Sequence, residues 1–301
     1  MMSEQLKEWK AKGQYYRHRG HAAFYRMEGS GQALLICHGY PYNTYDFKEV
    51  WPSLTSMFQV IAPDMLGMGF SDKPSNYAYS FEDHANFFTD LLHHLGVSKV
   101  HILSHDLGNS VVQELLARQQ SGSNSFEILS IAFLNGGLFT DVYKPRLIQK
   151  LLSQTPPPIG KLISRLMSKN SVSRATAEVF GAATKPSTEL LHDFWEILNY
   201  NKGKLLAWKI GRLIFDKEPH QSRWIAAMQQ TKVPMIFING PADPNSGIHM
   251  ANRYKELIPN PHVILLPEAI GHWPQLEAPD EVLRAFLQFR QRLNTEIKSL
   301  K

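Results

Sequence analysis

One stretch restricts the fold more than any other: Val100-His101-Ile102-Leu103-Ser104-His105-Asp106-Leu107-Gly108-Asn109-Ser110-Val111-Val112. An apolar run of strand length ends abruptly in Ser-His-Asp-Leu-Gly, and helical spacing begins at once, from Ser110 to Arg118. A chain that passes from strand to helix in so few residues presses the positions two before and two after the tip together. Small side chains are needed there, and Ser104 and Gly108 supply them, with Asp106 at the tip. Asp106 is then either a carboxylate presented at a strand end or an ordinary cap on the helix that starts there.

The rest of the chain has to house such a unit. Its 301 residues suffice for one large α/β domain with an insertion. A hydrophobic content of 43% with 20% charged residues is that of a soluble globular protein and argues against wholesale disorder. The lone cysteine, Cys37, rules out an intramolecular disulfide and any cysteine-rich metal site. No metal is expected, and Cys37, in the apolar run Ala33–Cys37, reads as a packing residue. The polar N-terminus has no apolar segment of the secretory kind, and no stretch approaches the ~20 apolar residues of a membrane span. A soluble cytoplasmic protein is expected. Positive charge is concentrated: residues 137–223 hold fourteen Lys and Arg against seven Asp and Glu, the remainder eighteen against twenty. This is either a solvated helical face or a preference for anionic ligands or a membrane surface. No Arg-rich run or nucleic-acid motif occurs, so no nucleic-acid partner is expected.

In chain order, Gln14–Arg17 and Ala22–Met27 read as a hairpin, and Ala33–Cys37 as a buried strand ending at His38-Gly39-Tyr40-Pro41. A helix is expected over Tyr45–Met57, a strand over Phe58–Pro63, a helix over Phe81–Leu95, and strands over Lys99–Leu103 and Ile128–Leu134. The glycine-rich loop Asp64–Pro74 lacks G-x-G-x-x-G and a Walker lysine, so it is no phosphate cradle. After Asn135-Gly136-Gly137 the alternation stops, and only helical patterns run from Tyr143 to about Trp224. Their apolar stripes, among them Leu147-Ile148-Leu151-Leu152 and Leu162-Ile163-Leu166-Met167, are expected to be core and site wall. Strands return at Val233–Gly240 and Val263–Pro267, with a closing helix over Asp280–Leu293. The expected architecture is α/β: a mostly parallel central sheet flanked by helices, with an all-helical cap inserted after the sixth strand. Residues 1–136 and 225–301 would form the core and 137–224 the cap.

Three titratable groups fall directly after three strands: Asp106, Asp243 in Pro241-Ala242-Asp243-Pro244, and His272 in Ile270-Gly271-His272-Trp273-Pro274. Singly, Asp243 is a turn residue and His272 a surface histidine. Together they form a chemical set. Asp106 attacks an electrophilic carbon and becomes an ester; His272 takes a proton from the water that attacks the ester carbonyl; Asp243 fixes the imidazole tautomer and stabilises its cation. Backbone N–H groups of Tyr40 and Leu107 are the candidate donors to the oxyanion of that step.

On these residues the chain resembles the epoxide hydrolase and haloalkane dehalogenase branch of the α/β-hydrolase superfamily across essentially its full length. The nucleophile-elbow frame Ser104–Gly108, the order Asp106, Asp243, His272, and the loop Ala62–Pro74 carry the likeness. Within the branch, Leu103–Asp106, Val112–Leu116, Asn135–Gly137, Asn239–Pro244 and His272–Glu277 resemble the mesoderm-specific transcript group and its bacterial relatives. The resemblance implies the α/β-hydrolase fold and a cofactor-independent hydrolase. It also implies a small hydrophobic substrate with water as co-substrate, and a pocket beside His38, Pro41, His105 and Trp273. Dehalogenases bind halide with a tryptophan after the nucleophile, plus an asparagine in the His-Gly loop or a second tryptophan. Leu107 and Tyr40 stand at those places, so epoxide opening is the favoured reaction and dehalogenation the runner-up. Epoxide opening needs cap tyrosines to protonate the oxygen; the candidates are Tyr200, the preferred one, and Tyr143. A non-catalytic or membrane-associated member of the fold is the alternative of another class.

Overall fold

Side-chain alternation on the central strands sorts their residues between two apolar layers. In the computed structural model, which describes residues 1–299, the strands are β1 (Gln14–His18), β2 (His21–Glu28), β3 (Ala33–Cys37), β4 (Gln59–Pro63), β5 (Lys99–Ser104), β6 (Glu127–Phe133), β7 (Met235–Asn239) and β8 (Val263–Leu265). They form one sheet in the order β1-β2-β4-β3-β5-β6-β7-β8. The pairs β1–β2 and β2–β4 are antiparallel and the others parallel. Leu35, Cys37, Ile61 and Ile102 face one layer, built with helices Phe81–His94, Leu107–Gln120 and Gln221–Gln230. Leu34, Ile36, Val60 and Leu103 face the other, built with helices Trp51–Thr55 and Pro279–Ser299. The sheet is thus covered on both sides, as a parallel sheet requires.

Register sets the position of the site. Cys37 pairs with Ser104 and Ser104 with Phe133, so β3, β5 and β6 end level with one another. The loops leaving their carboxyl ends meet at one edge, where ligands bind in open α/β sheets.

Between β6 and β7 the described residues form helices and 3-10 turns and no strand. Helix Gln221–Gln230, at the end of this insertion, belongs to the core: the Trp224 indole donates to Glu114 at 2.9 Å and Arg223 pairs with the same carboxylate. The boundary expected at residue 224 therefore falls inside a core helix. The expected helix over 45–57 is broken into a 3-10 turn, Thr44–Phe47, and the short helix Trp51–Thr55, which has Pro52 in its first turn. A further helix, Glu4–Ala11, is not among the elements expected from the sequence; it is capped by Ser3 and buries Leu6 and Trp9. Ser3 also donates through its amide and hydroxyl to Asp193 at 2.9 and 2.5 Å, which ties the N-terminus to the insertion. The expectation that the insertion's apolar stripes are core and site wall is corrected for Leu162 and Leu166, which are exposed and are not part of the cavity wall. Among the described residues no helix is long and apolar enough to cross a membrane.

Candidate active site

Asp106 sits at the turn with φ 50° and ψ −114°, a conformation costing a non-glycine residue about 1–3 kcal/mol. Three backbone bonds hold it there: His105 N–H to Cys37 at 2.9 Å, Asp106 N–H to Asn135 at 2.8 Å, and Gly108 N–H to His105 at 3.0 Å. The Ser104 hydroxyl adds a bond to Asn109 at 2.7 Å, and Asn109 donates to the Leu134 carbonyl at 2.8 Å. Position 108 must be glycine for a steric reason, since a Cβ there would lie 2.4 Å from the Cys37 carbonyl oxygen. The cap reading of Asp106 fails, because its side chain makes no hydrogen bond to the helix start. Oδ2 instead accepts the Tyr40 N–H at 3.0 Å, and Oδ1 faces His272 Nε2 at 3.8 Å. Tyr40 can approach so closely because Gly39 precedes it; a Cβ at Gly39 would come within 2.5 Å of the Asp106 Cβ. The Leu107 amide is the first of its helix and so has no intrahelical acceptor.

His272 Nδ1 donates to Asp243 Oδ2 at 2.8 Å, which leaves Nε2 directed at Asp106. Asp243 also accepts the Asn245 amide at 2.8 Å, the Ser246 hydroxyl at 2.5 Å and the Asn135 side chain at 3.1 Å. Burial would raise this carboxyl, but the His272 charge, that hydrogen bond and those of Ser246 and Asn245 bring it down to about 2. Burial works against charge on His272, yet Asp243 and then Asp106 outweigh it and lift the imidazole to about 9. Sequence reasoning gave no role to Asn135, which spans the ends of β6 and β7 by also exchanging bonds with Gly240.

Glu277 stands in the sequence only as the last residue of the motif His272–Glu277. Its Oε2 accepts the amides of Gly271 and Gly181, each at 2.8 Å, and the Thr184 hydroxyl at 2.5 Å. Its Oε1 accepts the Trp273 amide at 2.9 Å. One carboxylate therefore grips both neighbours of His272 and the insertion, and His272 N–H bonds Val179 of that insertion at 2.9 Å.

A cavity of about 660 Å³ opens above Asp106, walled by Tyr40, Pro41, Trp273 and apolar residues of the insertion such as Leu152 and Val179. His38 and His105, expected beside the pocket, do not line it. Both rings are structural braces: His38 Nε2 accepts the Met65 amide at 2.8 Å while Nδ1 donates to the Gly39 carbonyl. His105 Nε2 donates to the His272 carbonyl at 2.7 Å, and burial with the nearby His272 pushes its imidazole down to about 3. Trp273 lines the cavity, but its indole N–H is committed to the buried Asp46 at 3.1 Å.

The two cap tyrosines separate cleanly. Tyr200, preferred from the sequence, is turned away: its ring packs on Phe70 at 5.1 Å and lies under the ammonium groups of Lys10 and Lys73 at 4.4 and 5.3 Å. Tyr143 stands behind two residues of the cavity wall, its oxygen accepting from Asn245 at 3.2 Å and Gln149 at 3.4 Å. Burial, then the charge of Asp106, raise this phenol and keep it protonated. Beside it lies a residue with no sequence signal, Lys217, which reads as one more surface cation in a basic segment. It is buried, donates to the Gly137 carbonyl at 3.0 Å, and is lowered by burial to about 8 against the pull of Asp106.

Glu82, Glu114 and His220 lie close enough to share a cation. Glu114 is already engaged by Arg118, Arg223 and Trp224, so the group reads as an ion-pair knot.

Comparison with known proteins places this geometry. The chain is 36% identical to the mesoderm-specific transcript protein of Mus musculus over 297 residues, covering 96% of this chain and 88% of that protein. Among solved structures, epoxide hydrolase CorEH superposes with a TM-score of 0.75 at 23% identity, over 93% of this chain and 99% of the other. Haloalkane dehalogenase DbeA from Bradyrhizobium elkani superposes with a TM-score of 0.78 at 20% identity, over 94% and 99%. Residues 32–279 match the family described as alpha/beta hydrolase fold, and with the sheet order and the Asp106–His272–Asp243 constellation above, the chain belongs to that family.

Proposed function

We propose that this protein hydrolyses epoxides to vicinal diols through an ester on Asp106. The observation that supports the proposal is a carboxylate in the cavity, hydrogen-bonded by the Tyr40 N–H, whose charge reaches the buried, protonated phenol of Tyr143 behind Gln149 and Asn245 of the cavity wall. In the first step an Asp106 oxygen forms a bond to an epoxide carbon. The C–O bond breaks toward the ring oxygen, which takes the Tyr143 proton. An alkoxide is otherwise a poor leaving group, so this proton transfer is needed. In the second step His272 Nε2 takes a proton from water as the water oxygen attacks the ester carbonyl. The oxyanion is held by the Tyr40 and Leu107 N–H groups. Collapse expels the diol oxygen, which receives the proton from His272, and the proton left on the Asp106 carboxyl returns to Tyr143.

Charge orders the two steps. With Asp106 ionised, His272 is held protonated near neutral pH by its raised value of about 9. Esterification removes the Asp106 charge, which after Asp243 raises it, so the imidazolium can release its Nε2 proton to solvent and act as a base; it regains a proton from solvent when the Asp106 carboxylate is restored. A halide leaving group is less well served. The Trp273 indole is spent on Asp46, the Tyr40 hydroxyl donates to Ala207 at 3.0 Å, and Leu107 presents only carbon.

The test is His272→Gln, which should form the ester and fail to hydrolyse it. Intact-mass spectrometry after incubation with a panel of apolar epoxides is expected to show one added epoxide, located on Asp106 by peptide mapping. Absence of any adduct, together with halide release by the wild-type protein from haloalkanes, would reassign the reaction to dehalogenation. Neither adduct nor halide would leave a binding role.

A further inference from the structure

The helix Pro157–Leu166 has its polarity reversed for a helix packed on a core. Its small residues face inward. Gly160 is buried, where a Cβ would stand 3.0 Å from the Leu152 carbonyl oxygen and 3.1 Å from the Trp208 Cβ, and Ser164 accepts the Trp208 amide at 3.1 Å. On the outward face, at helical spacing, Ile159, Leu162 and Leu166 are 48, 56 and 73% exposed. The adjoining helix Leu147–Ser153 adds Leu147, Ile148 and Leu151 at 72, 44 and 44%. These are half of the twelve large hydrophobic residues exposed among the described residues, so the pattern is a patch and not the usual scatter.

The charge carried by the two helices and the residues flanking them is of one sign. Residues 144–169 contain Lys144, Arg146, Lys150, Lys161, Arg165 and Lys169 and no Asp or Glu. Arg146 pairs with Glu178; among the described residues the other five have no ion pair. A second copy of the chain on this face would bring like charges together at a desolvated contact. An anionic bilayer satisfies both features at once, because its acyl layer takes the leucines and its phosphates take the cations, whose long stems let the charged ends stay at the headgroups.

We propose that helices Leu147–Ser153 and Pro157–Leu166 dock this protein on an anionic lipid bilayer. Leu147, Ile148 and Leu151 also line the cavity above Asp106, so the docked face carries the cavity mouth. Entry of a lipophilic substrate by that route rests on the proposed hydrolysis; docking itself does not.

The test is co-sedimentation of the full chain with phosphatidylcholine vesicles containing or lacking phosphatidylglycerol, at low and high salt. Binding is expected with phosphatidylglycerol only, weakened by salt. Leu162→Ser/Leu166→Ser should lower it about tenfold or more, since two exposed leucines lose their burial in lipid. Lys161→Glu/Arg165→Glu should lower it while leaving the apolar face intact. All four side chains point to solvent, and circular dichroism will verify that both variants keep their helices. The proposal is overturned if the wild-type chain stays in the supernatant with anionic vesicles, or if the serine variant sediments equally well. It is also overturned if light scattering finds a wild-type dimer that the serine variant converts to monomer, which would put a second copy on this face. Vesicle binding without ester formation on Asp106 would retain the docking and remove the hydrolysis.

Discussion

At Asp106 a strained backbone and a short sequence frame answer each other. The positive φ is maintained by amide bonds to β3 and β6, and it turns the carboxylate off the helix and into the cavity. Ser104, Gly108 and the tip residue between them were legible in the sequence because the turn is local and its steric demands fall on fixed positions. Which tyrosine would serve as the proposed proton donor was not legible, since Tyr143 and Tyr200 differ only in what surrounds them. Lys10, from the N-terminal helix, sits over Tyr200, whereas Asn245, from the loop after β7, reaches Tyr143. Tyr143→Phe is expected to slow ester formation about 100-fold, the usual weight of a general acid. Tyr200→Phe should leave it essentially unchanged. Rapid-quench mass spectrometry of Asp106 alkylation in the His272→Gln background compares the two directly, and equal effects would remove Tyr143 from the mechanism.

Among the elements, the loop after β8 is the one most dependent on outside support. His272 has no regular secondary structure of its own, and its position is fixed by the Glu277 carboxylate gripping Gly271 and Trp273 on either side. The same carboxylate holds Gly181 and Thr184, so the insertion and the His272 loop share one anchor. Glu277→Gln replaces an acceptor oxygen with an N–H₂ group facing N–H donors. It should slow ester hydrolysis about tenfold to hundredfold, the effect of a small misplacement of the base. Ester formation, which does not use His272 as a base, should change little. That split, read in a single turnover as accumulation of alkylated Asp106, distinguishes a positioning residue from a general loss of folding. The motif His272–Glu277 was visible in the sequence; the four donors converging on its last residue come from segments far apart in the chain.

On the scale of the molecule, the site carries a stability cost that pH can expose. Asp46 is fully buried, and burial raises its carboxyl well above the ordinary value, with only the Trp273 indole and the charge of His272 opposing. The unfolded chain ionises this group near pH ~4, while the folded chain keeps it protonated to higher pH. The folded state therefore binds the extra proton, and stability attributable to Asp46 declines as pH rises above that point. Asp46→Asn keeps an acceptor for Trp273 and cannot ionise. It is expected to raise stability at neutral pH, with a gain that shrinks toward zero as pH falls through ~4. Urea denaturation across that range reads the gain directly; a variant destabilised at neutral pH by an amount that fades as pH falls through ~4 would show that Asp46 is ionised and needed in that form.

The sequence by itself determined the elements that repeat with a local period: the strands, most of the helices behind them, and the placing of Asp106, Asp243 and His272 in the connections that follow three strands. It also determined the architecture, since a run of strand–helix alternation interrupted by helices leaves few arrangements. What it could not determine is which neighbour covers each face. Period shows that Leu162 and Leu166 share a side of their helix but not that Gly160 and Ser164 are the side that packs. In the same way it placed His38 and His105 next to the reacting groups along the chain, while the folded molecule spends both rings on backbone partners. Those outcomes depend on contacts between distant segments, and only the tertiary structure brings such segments together.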